Sequence, residues 1–171
     1  MNYNELTGNN SVSFGDMPPG AFLLGLLSAF DNRYQACADS FFKEITWKQF
    51  FAIICINVCG GSPTINQLSE VMGSSHQNVK QILLKLERKG FVEVVPDEKD
   101  RRKQRIQLTK QCEEFCQSHD EESQKKLTMM FEGISNEDFV TAIQVIGRME
   151  SNLKLLYNSH QLETILRNRD D

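Results

Sequence analysis

Two short helical segments, followed at once by a hairpin pattern, lie in the middle of this 171-residue chain. The first, TINQLSEVMG, places Thr64 as an N-cap with Gln67 three residues later, which is a capping box, and Gly73 ends the segment. The second runs from Ser75 to Gly90. Its apolar residues have the i, i+3, i+4, i+7 spacing of a helix, and they are Val79, Ile82, Leu83 and Leu86. Short helices joined across MGSS predict a helix-turn-helix.

The segment after the second helix predicts a β-hairpin. FVEVV is rich in β-branched residues, and RIQL alternates polar and apolar residues with Ile106 and Leu108 on one face. The loop between them is dense in charge. A helix-turn-helix with a hairpin attached to its second helix is a winged helix, so the sequence predicts a mainly α fold with a two-stranded β-hairpin wing.

Amphipathic helical patterns flank this segment on both sides. An apolar stripe runs through residues 22–37, and Thr46 with Gln49 forms a capping box for a helix that ends at Gly60. The interior of that helix is apolar nearly all round, and we expect it to be buried. Thr109 caps a long helix, and a break at GISNED precedes a last one.

Composition indicates a folded chain without an export pattern. Apolar residues make up 40%, which is enough for a core, and no apolar run is long enough to cross a bilayer. We expect a loose tail over residues 1–17, which do not resemble a signal peptide, and a single domain over residues 18–171. The odd number of cysteines then predicts reduced thiols in a cytoplasm, and they are Cys37, Cys55, Cys59, Cys112 and Cys116.

Charge is distributed unevenly along the chain. The net charge is −4, yet residues 80–110 carry ten Lys and Arg against five Asp and Glu. Such segregation favours one cationic surface for a polyanion, mounted on an acidic body. A charged run is more often a solvated face, and on charge alone that interpretation is the more probable one.

Residues 64–112 resemble the DNA-binding core of the multiple-antibiotic-resistance regulator (MarR) family. The matching features are Leu68, Ser75, LERKGFV, Asp100, Arg101, Arg102, Leu108 and Thr109. Cys112 departs from the pattern, because the family usually has glycine there. The resemblance implies a bacterial or archaeal transcriptional regulator that binds DNA as a homodimer. Many members are released from DNA by a small phenolic or lipophilic effector, by oxidation or by a metal.

The resemblance also assigns roles to the predicted segments. Residues 46–110 would form the winged helix-turn-helix lobe, and residues 18–45 and 111–171 would supply the dimerisation helices. The expected partners are double-stranded DNA with a palindromic site, a second copy of the chain and a small effector. We predict a ligand-responsive repressor, with no cofactor and no membrane association.

The second helix of the helix-turn-helix would lie in the DNA major groove. Ser75 would cap it beside a phosphate, and Lys85, Arg88 and Lys89 would contact further phosphates. Recognition helices read bases mainly from their N-terminal turns. The residues expected to contact bases are therefore His76, Gln77, Lys80 and Gln81. The alternative for each is a solvated helix face.

The hairpin tip would approach the minor groove, where narrow A·T stretches attract arginine. The residues expected to take part are Lys99, Asp100, Arg101, Arg102 and Lys103. One arginine would enter the groove, the lysines would contact phosphates, and by resemblance the aspartate would brace Arg102. Asp97 and Glu98 would shape the turn and limit non-specific binding. The alternative is a merely soluble hairpin.

Enzymatic and metal chemistry is weakly indicated. The three histidines stand far apart, and no Gly-rich phosphate loop, zinc-protease motif or nucleophile elbow occurs, so no enzyme is predicted. The cysteine pairs at 55/59 and 112/116 could hold zinc in principle. Buried structural cysteines fit this spacing better, and no metal is predicted.

Two alternative functions stay open. A thiol-based redox regulator on the same fold would use Cys37, near Arg33 and Lys43, or Cys112. A winged-helix module for protein–protein contact is the other alternative. A ligand pocket between the two lobes would be lined by Trp47, Phe50, Phe51, Phe115 and His119. Aromatic residues at helical spacing are, however, more often plain core.

Overall fold

The structure, a computed structural model, describes residues 17–101 and 103–167, and the side chains of residues 17–101 and 103–158. The elements in chain order are α1 (Pro19–Ala38), α2 (Trp47–Val58), α3 (Ile65–Val71), α4 (His76–Arg88), β1 (Val92–Pro96), β2 (Gln104–Leu108), α5 (Lys110–Met130) and α6 (Asn136–Arg167). This order confirms the predicted mainly α winged helix-turn-helix. The predicted tail, residues 1–17, lies outside the described ranges except for Met17.

Side-chain caps fix where the helices begin. Both predicted capping boxes are present, at Thr46 with Gln49 and at Thr64 with Gln67. At the start of α4, the Ser75 hydroxyl accepts from the Asn78 N–H at 3.3 Å. Since each cap satisfies an otherwise unpaired N–H group, it holds the helix to one starting residue.

Gly90 makes the sharp passage from α4 into β1. Its φ is +73°, a left-handed conformation that side chains other than glycine rarely adopt. A Cβ placed there would lie 2.6 Å from the Gln111 side-chain oxygen. The backbone conformation at this junction between α4, the wing and α5 therefore favours glycine.

The core of the winged lobe lies between α2, α3, α4 and the hairpin. The predicted stripe of α4 is buried, with Val79 and Leu86 fully so. The core also takes Phe42 and Ile45 from the segment before α2, and Cys112 and Phe115 from α5. The core thus includes residues on both sides of the segment 46–110.

The expectation that α2 is buried all round is only partly correct. Ala52, Ile53 and Ile56 are buried, but Ile54 is 37% exposed and Val58 is 71% exposed. These two side chains follow the outer face of the helix, where no element of the described chain covers them.

The wing is an antiparallel hairpin in which Val92 pairs with Leu108 and Val94 with Ile106. The Ile106 N–H donates to the Pro63 carbonyl at 2.9 Å, so β2 also bonds to the linker between α2 and α3. Ile106 is fully buried. These bonds fix the base of the hairpin to the helix-turn-helix.

The chain divides into two compact units, with the boundary between Asp120 and Glu121 inside α5. In the second unit, Ser135 caps α6, since its hydroxyl accepts from the Asp138 N–H at 3.2 Å. None of the α6 side chains described, residues 136–158, is buried. Over the described residues, no helix is both long and apolar enough to span a membrane.

Candidate nucleic-acid interface

The apolar stripe of α4 packs into the core, so the opposite, polar face of the helix is exposed to solvent. All of the residues predicted to contact DNA from this helix are exposed, namely Ser75, His76, Gln77, Lys80, Gln81, Lys85 and Arg88. Lys85 and Arg88 lie in the last turn, where positive charge complements the helix dipole. The helix thus presents amide groups near its start and cations toward its end.

Lys89 has a partner within the chain. Its ammonium group donates to the Glu44 carbonyl, which ties the end of α4 to the segment between α1 and α2. With its ammonium group occupied in this way, Lys89 is less available for the phosphate contact that was predicted for it. This contact links residues far apart in sequence, and helix periodicity cannot predict it.

Asp97 organises the tip of the wing. Its side chain is buried and accepts from the N–H groups of Lys99 and Asp100 at 2.8 and 2.9 Å. The Arg105 guanidinium donates to the other carboxylate oxygen. These bonds, from Arg105 first and then from the two N–H groups, lower the pKa of Asp97 to about 2. Asp97 therefore shapes the turn as expected, through bonds that leave it ionised at any neutral pH.

Arg105 carries this connection from the wing to the helix-turn-helix. Its Nη1 donates to the Ser62 carbonyl at 3.1 Å and to the Gln67 side-chain oxygen at 3.4 Å. Gln107 adds a bond from its Nε2 to the Ser62 hydroxyl at 3.3 Å. A single guanidinium thus joins the wing turn, the α2–α3 linker and α3. No local sequence pattern points to Arg105, because its partner Ser62 stands 43 residues earlier.

The wing tip projects its cations outward. Lys99, Arg101 and Lys103 are exposed, and Asp100 forms an ion pair with Lys103 at 3.7 Å. Arg102 lies outside the described residues, so its bracing by Asp100 stays a prediction.

A polar cleft joins the helix to the wing. It encloses about 520 Å³ and is lined by Asn66, Gln67, His76, Lys80, Lys103 and Arg105, among others. Basic side chains from α4 and from the hairpin face the same space, so the two predicted contact regions form one cationic surface. We call it the helix–wing surface: the exposed polar face of α4, the wing tip and the cleft between them.

Three of the residues predicted to line a ligand pocket pack around Phe42 in one aromatic cluster. Its ring lies 4.5 Å from Phe50, 5.6 Å from Phe115 and 5.5 Å from His119. Phe115 is buried in the core. The position of Phe42 in the core was not predicted, because it lies in a connecting segment without helical periodicity.

A separate cleft of about 430 Å³ opens beside Trp47. It lies between α1, α2 and the turn of the helix-turn-helix. The side chains that line it include Tyr34, Trp47, Phe51, Met72 and Asn78. Tyr34 packs edge-on against Trp47 with ring centroids 4.7 Å apart. Two of the predicted pocket residues, Trp47 and Phe51, thus line a cleft, while Phe50, Phe115 and His119 pack around Phe42.

The candidate sensor thiols occupy opposite environments. Cys37 is exposed at the end of α1. Cys112 is fully buried, and the hydrogen bond that it makes to Cys116, together with burial, raises the pKa of its thiol. A sensor thiol needs access and thiolate character, and Cys112 has neither. In the described part of the chain, no three His, Cys, Asp or Glu side chains group as metal ligands would.

The architecture and this surface define a winged helix-turn-helix protein. The model of the MarR family matches residues 45–103. The match covers about a third of the chain, and the fold of the chain is similar to solved structures of MarR-family proteins.

Three of these structures illustrate the similarity. An Escherichia coli MarR variant complexed with operator DNA shares 19% identity over 79% of this chain and 99% of that one, with a TM-score of 0.67. Streptococcus pneumoniae FabT in complex with DNA shares 23% over 80% and 98%, with a TM-score of 0.60. Bordetella bronchiseptica BpsR, described as regulated in its DNA binding by 6-hydroxynicotinic acid, shares 17% over 82% and 98%, with a TM-score of 0.66. At these identities the likeness is one of fold.

Proposed function

We propose that this chain is a sequence-specific transcriptional regulator, a homodimeric repressor that binds a palindromic operator and is released by a small effector. The observation that carries the proposal is the helix–wing surface. An exposed helix with amide and basic side chains continues through a basic cleft into a cationic hairpin tip. Duplex DNA presents a groove for the helix and phosphates for the flanking cations.

Within this surface, α4 supplies the base contacts. The first turns of a recognition helix lie deepest in the major groove, which is about 12 Å wide. His76, Gln77, Lys80 and Gln81 stand on these turns and are exposed. Glutamine pairs with the adenine edge through two hydrogen bonds, and lysine reaches guanine acceptors. Ser75, Lys85 and Arg88 contact the backbone at either end of the helix.

The wing grips the adjacent backbone and minor groove. Lys99 and Lys103 contact phosphates, while Arg101 or Arg102 enters the groove. Because Asp97 and Arg105 fix the turn to the helix-turn-helix, the tip approaches DNA with little conformational freedom left to lose.

A homodimer accounts for the uncovered apolar residues of α1 and α6. On α1, Leu24 is 58% exposed and Phe30 is 50% exposed. On α6, Ile143 and Leu153 are 68% and 65% exposed. Large apolar side chains left exposed on each of these helices support association with a partner. A two-fold dimer would set two winged lobes on half-sites about one helical turn apart.

The cleft beside Trp47 suits the effector. Its aromatic walls favour a flat ring, and Asn78 and Lys48 supply polar groups to orient it. The cleft borders Gly73 and Ser74, the turn that sets α4 relative to α3. A ligand lodged there would favour one orientation of the recognition helix and shift the population away from DNA binding.

Selection from a randomised duplex pool tests the proposal. We expect enrichment of an inverted repeat with half-sites about one helical turn apart. The matched control is a protein with Gln77→Ala and Gln81→Ala, which should enrich a more degenerate half-site while it still binds DNA. Enrichment of no sequence by the unsubstituted protein would contradict the proposal.

A further inference from the structure

We propose that Leu84 determines part of the DNA sequence specificity of this chain, and that it selects a thymine in each half-site by packing against the C5 methyl group of that base. This role rests on the proposed function, since it requires α4 to lie in the major groove of DNA.

Leu84 lies in the middle of the exposed face of α4. It follows Gln77 by seven residues and precedes Arg88 by four, and both spacings bring side chains to one face of a helix. Of the apolar residues of α4, which the structure describes throughout, Leu84 alone is exposed, at 44%. Single exposed leucines are common on proteins. This one is distinguished by its position, because its neighbours on the same face carry amide or cationic groups.

A groove of about 360 Å³ opens beside Leu84, between α3, α4 and the wing. Its apolar walls are formed by Ile65, Leu83, Leu84 and Val94. Leu83 is only 4% exposed, and Ile65 and Val94 are half-buried. Leu84 is the most exposed of the four side chains, so it is the apolar wall that a base in the major groove reaches first.

The charged groups beside the groove favour an uncharged occupant. Lys80, Glu87 and Gln104 complete its lining. The carboxylate of Glu87 repels the phosphates of the DNA backbone. Lys80 can only donate hydrogen bonds, and it can reach the acceptors on a base edge. The groove therefore suits an apolar group on a base rather than a backbone phosphate.

The chemistry of leucine then identifies the base. Its side chain neither donates nor accepts hydrogen bonds, so it can make only van der Waals contacts. In the major groove, the edges of adenine, guanine and cytosine present hydrogen-bond donors and acceptors, and thymine alone adds a methyl group. A purely polar edge set against Leu84 would lose water without gaining a hydrogen bond. Leu84 therefore favours thymine over the other three bases.

The packing around Leu84 holds it in position. Leu83 and Leu86, its neighbours in α4, are buried in the core. On the wing side of the groove, Val94 pairs with Ile106, which is fully buried. A contact that distinguishes one methyl group needs such a fixed backbone. Because α4 and β1 are already held in place, little conformational freedom is lost when the thymine docks.

Replacement of single thymines by deoxyuridine tests this contact, because uracil keeps every pairing group and lacks only the C5 methyl. The duplex is the one selected from the randomised pool, and the full chain is titrated against it by fluorescence anisotropy. We expect one position in each half-site at which uracil lowers affinity about fourfold, the effect of one buried methyl group.

Three variants assign that loss to a side chain. With Leu84→Ala, the thymine and uracil duplexes should bind with equal affinity, because the partner of the methyl group is gone. Leu84→Met keeps an apolar side chain of similar size and should retain the difference. Val58→Ala is the matched control, since Val58 is 71% exposed on α2 and is not part of the helix–wing surface. It should respond like the unsubstituted protein. Thermal unfolding of each variant verifies that it folds.

A cytosine series separates the methyl group from the rest of the base pair. A C·G pair at the same position should bind more weakly than the T·A pair. A methyl group added to C5 of that cytosine should raise the affinity of the unsubstituted protein about fourfold. The same methyl group should not change the affinity of Leu84→Ala.

The outcomes separate this contact from the proposed function. A selected duplex that is bound equally well with uracil at every position overturns the methyl contact, as does a selected half-site without thymine. A loss that persists in Leu84→Ala assigns the contact to another side chain and overturns the role of Leu84. If the full chain binds no duplex, the proposed function fails and the contact fails with it.

Discussion

The winged lobe and the helix α6 bury their apolar residues in opposite ways. In the winged lobe, side chains from four helices and the hairpin enclose a core in which Ile56, Leu68, Leu86 and Ile106 have no exposed surface. Helix α6 is longer than any other described element, at 32 residues, yet none of its described side chains is buried. The core of the first region is complete within one chain, whereas the second leaves large apolar side chains exposed.

This contrast suggests that the winged lobe and α6 have different roles. A self-contained core holds the helix–wing surface in a fixed shape, which is what DNA contacts need. A helix with uncovered apolar residues gains most of its stability on association, because isolated helices are marginal in water.

A substitution in the core of the winged lobe should lower the free energy of unfolding more than any other change. Leu86→Ala removes a fully buried side chain from α4 and should lower the free energy of unfolding by about 2–5 kcal/mol. Leu84→Ala, on the same helix but 44% exposed, is the matched control and should cost less than about 1 kcal/mol. Urea unfolding measures both. Equal losses for the two variants would show that α4 does not pack as described.

Charges placed on α6 should break the proposed dimer and leave the winged lobe folded. Ile143→Glu with Leu153→Glu places two carboxylates on exposed apolar positions, and we expect dimer affinity to fall by roughly 100-fold. Gln144→Glu on the same helix is the control. Light scattering coupled to size exclusion reads the molecular mass. A double variant that stays dimeric would remove α6 from the interface.

Loss of the Arg105 side chain, which ties the wing to the helix-turn-helix, should weaken DNA binding and leave the core folded. Arg105→Ala frees the hairpin tip from Ser62, Gln67 and Asp97, and we expect affinity for the selected duplex to fall roughly tenfold. Arg105→Lys keeps the charge but cannot reproduce the forked hydrogen bonds, so it should lose nearly as much. Full affinity in the lysine variant would instead make Arg105 a simple phosphate contact.

Substitution of Asp97 should have the smallest effect, a change in thermal stability that depends on pH only in acid. Its pKa in the folded protein is about 2, below the ordinary 3.8, so folding favours its ionised form. Its contribution to stability is therefore complete above about pH 5 and is lost as the pH falls toward 2. The difference in melting temperature between the protein and Asp97→Asn should narrow over that interval. A difference that stays constant with pH would contradict the ion pair.

Local signals in the sequence were enough for the secondary structure of the lobe. The boxes at Thr46 and Thr64, the stripe of α4 and the alternation in β2 each depend on residues within a few positions of one another, and each is confirmed. The same signals predicted the exposed positions of α4, because the face opposite a buried stripe must point outward.

The features missed by the sequence analysis depend on contacts between distant residues. Arg105 reaches Ser62, Lys89 reaches Glu44, and Phe42 joins the core from a connecting segment. The solvent exposure of each cysteine likewise depends on contacts that the sequence spacing does not show. Cys112 is enclosed, whereas Cys116, one turn later, keeps partial access, and spacing alone treats the two alike.

The central claim is that the helix–wing surface binds duplex DNA through phosphate contacts around a recognition helix. Equilibrium binding to a random-sequence duplex, measured across a range of salt concentrations, tests it most directly. With Lys85, Arg88, Lys99 and Lys103 on phosphates, a plot of log affinity against log salt should fall with a slope steeper than about −3, at about −0.9 per phosphate contact. A flat plot, or no binding even at very low salt, would contradict the claim.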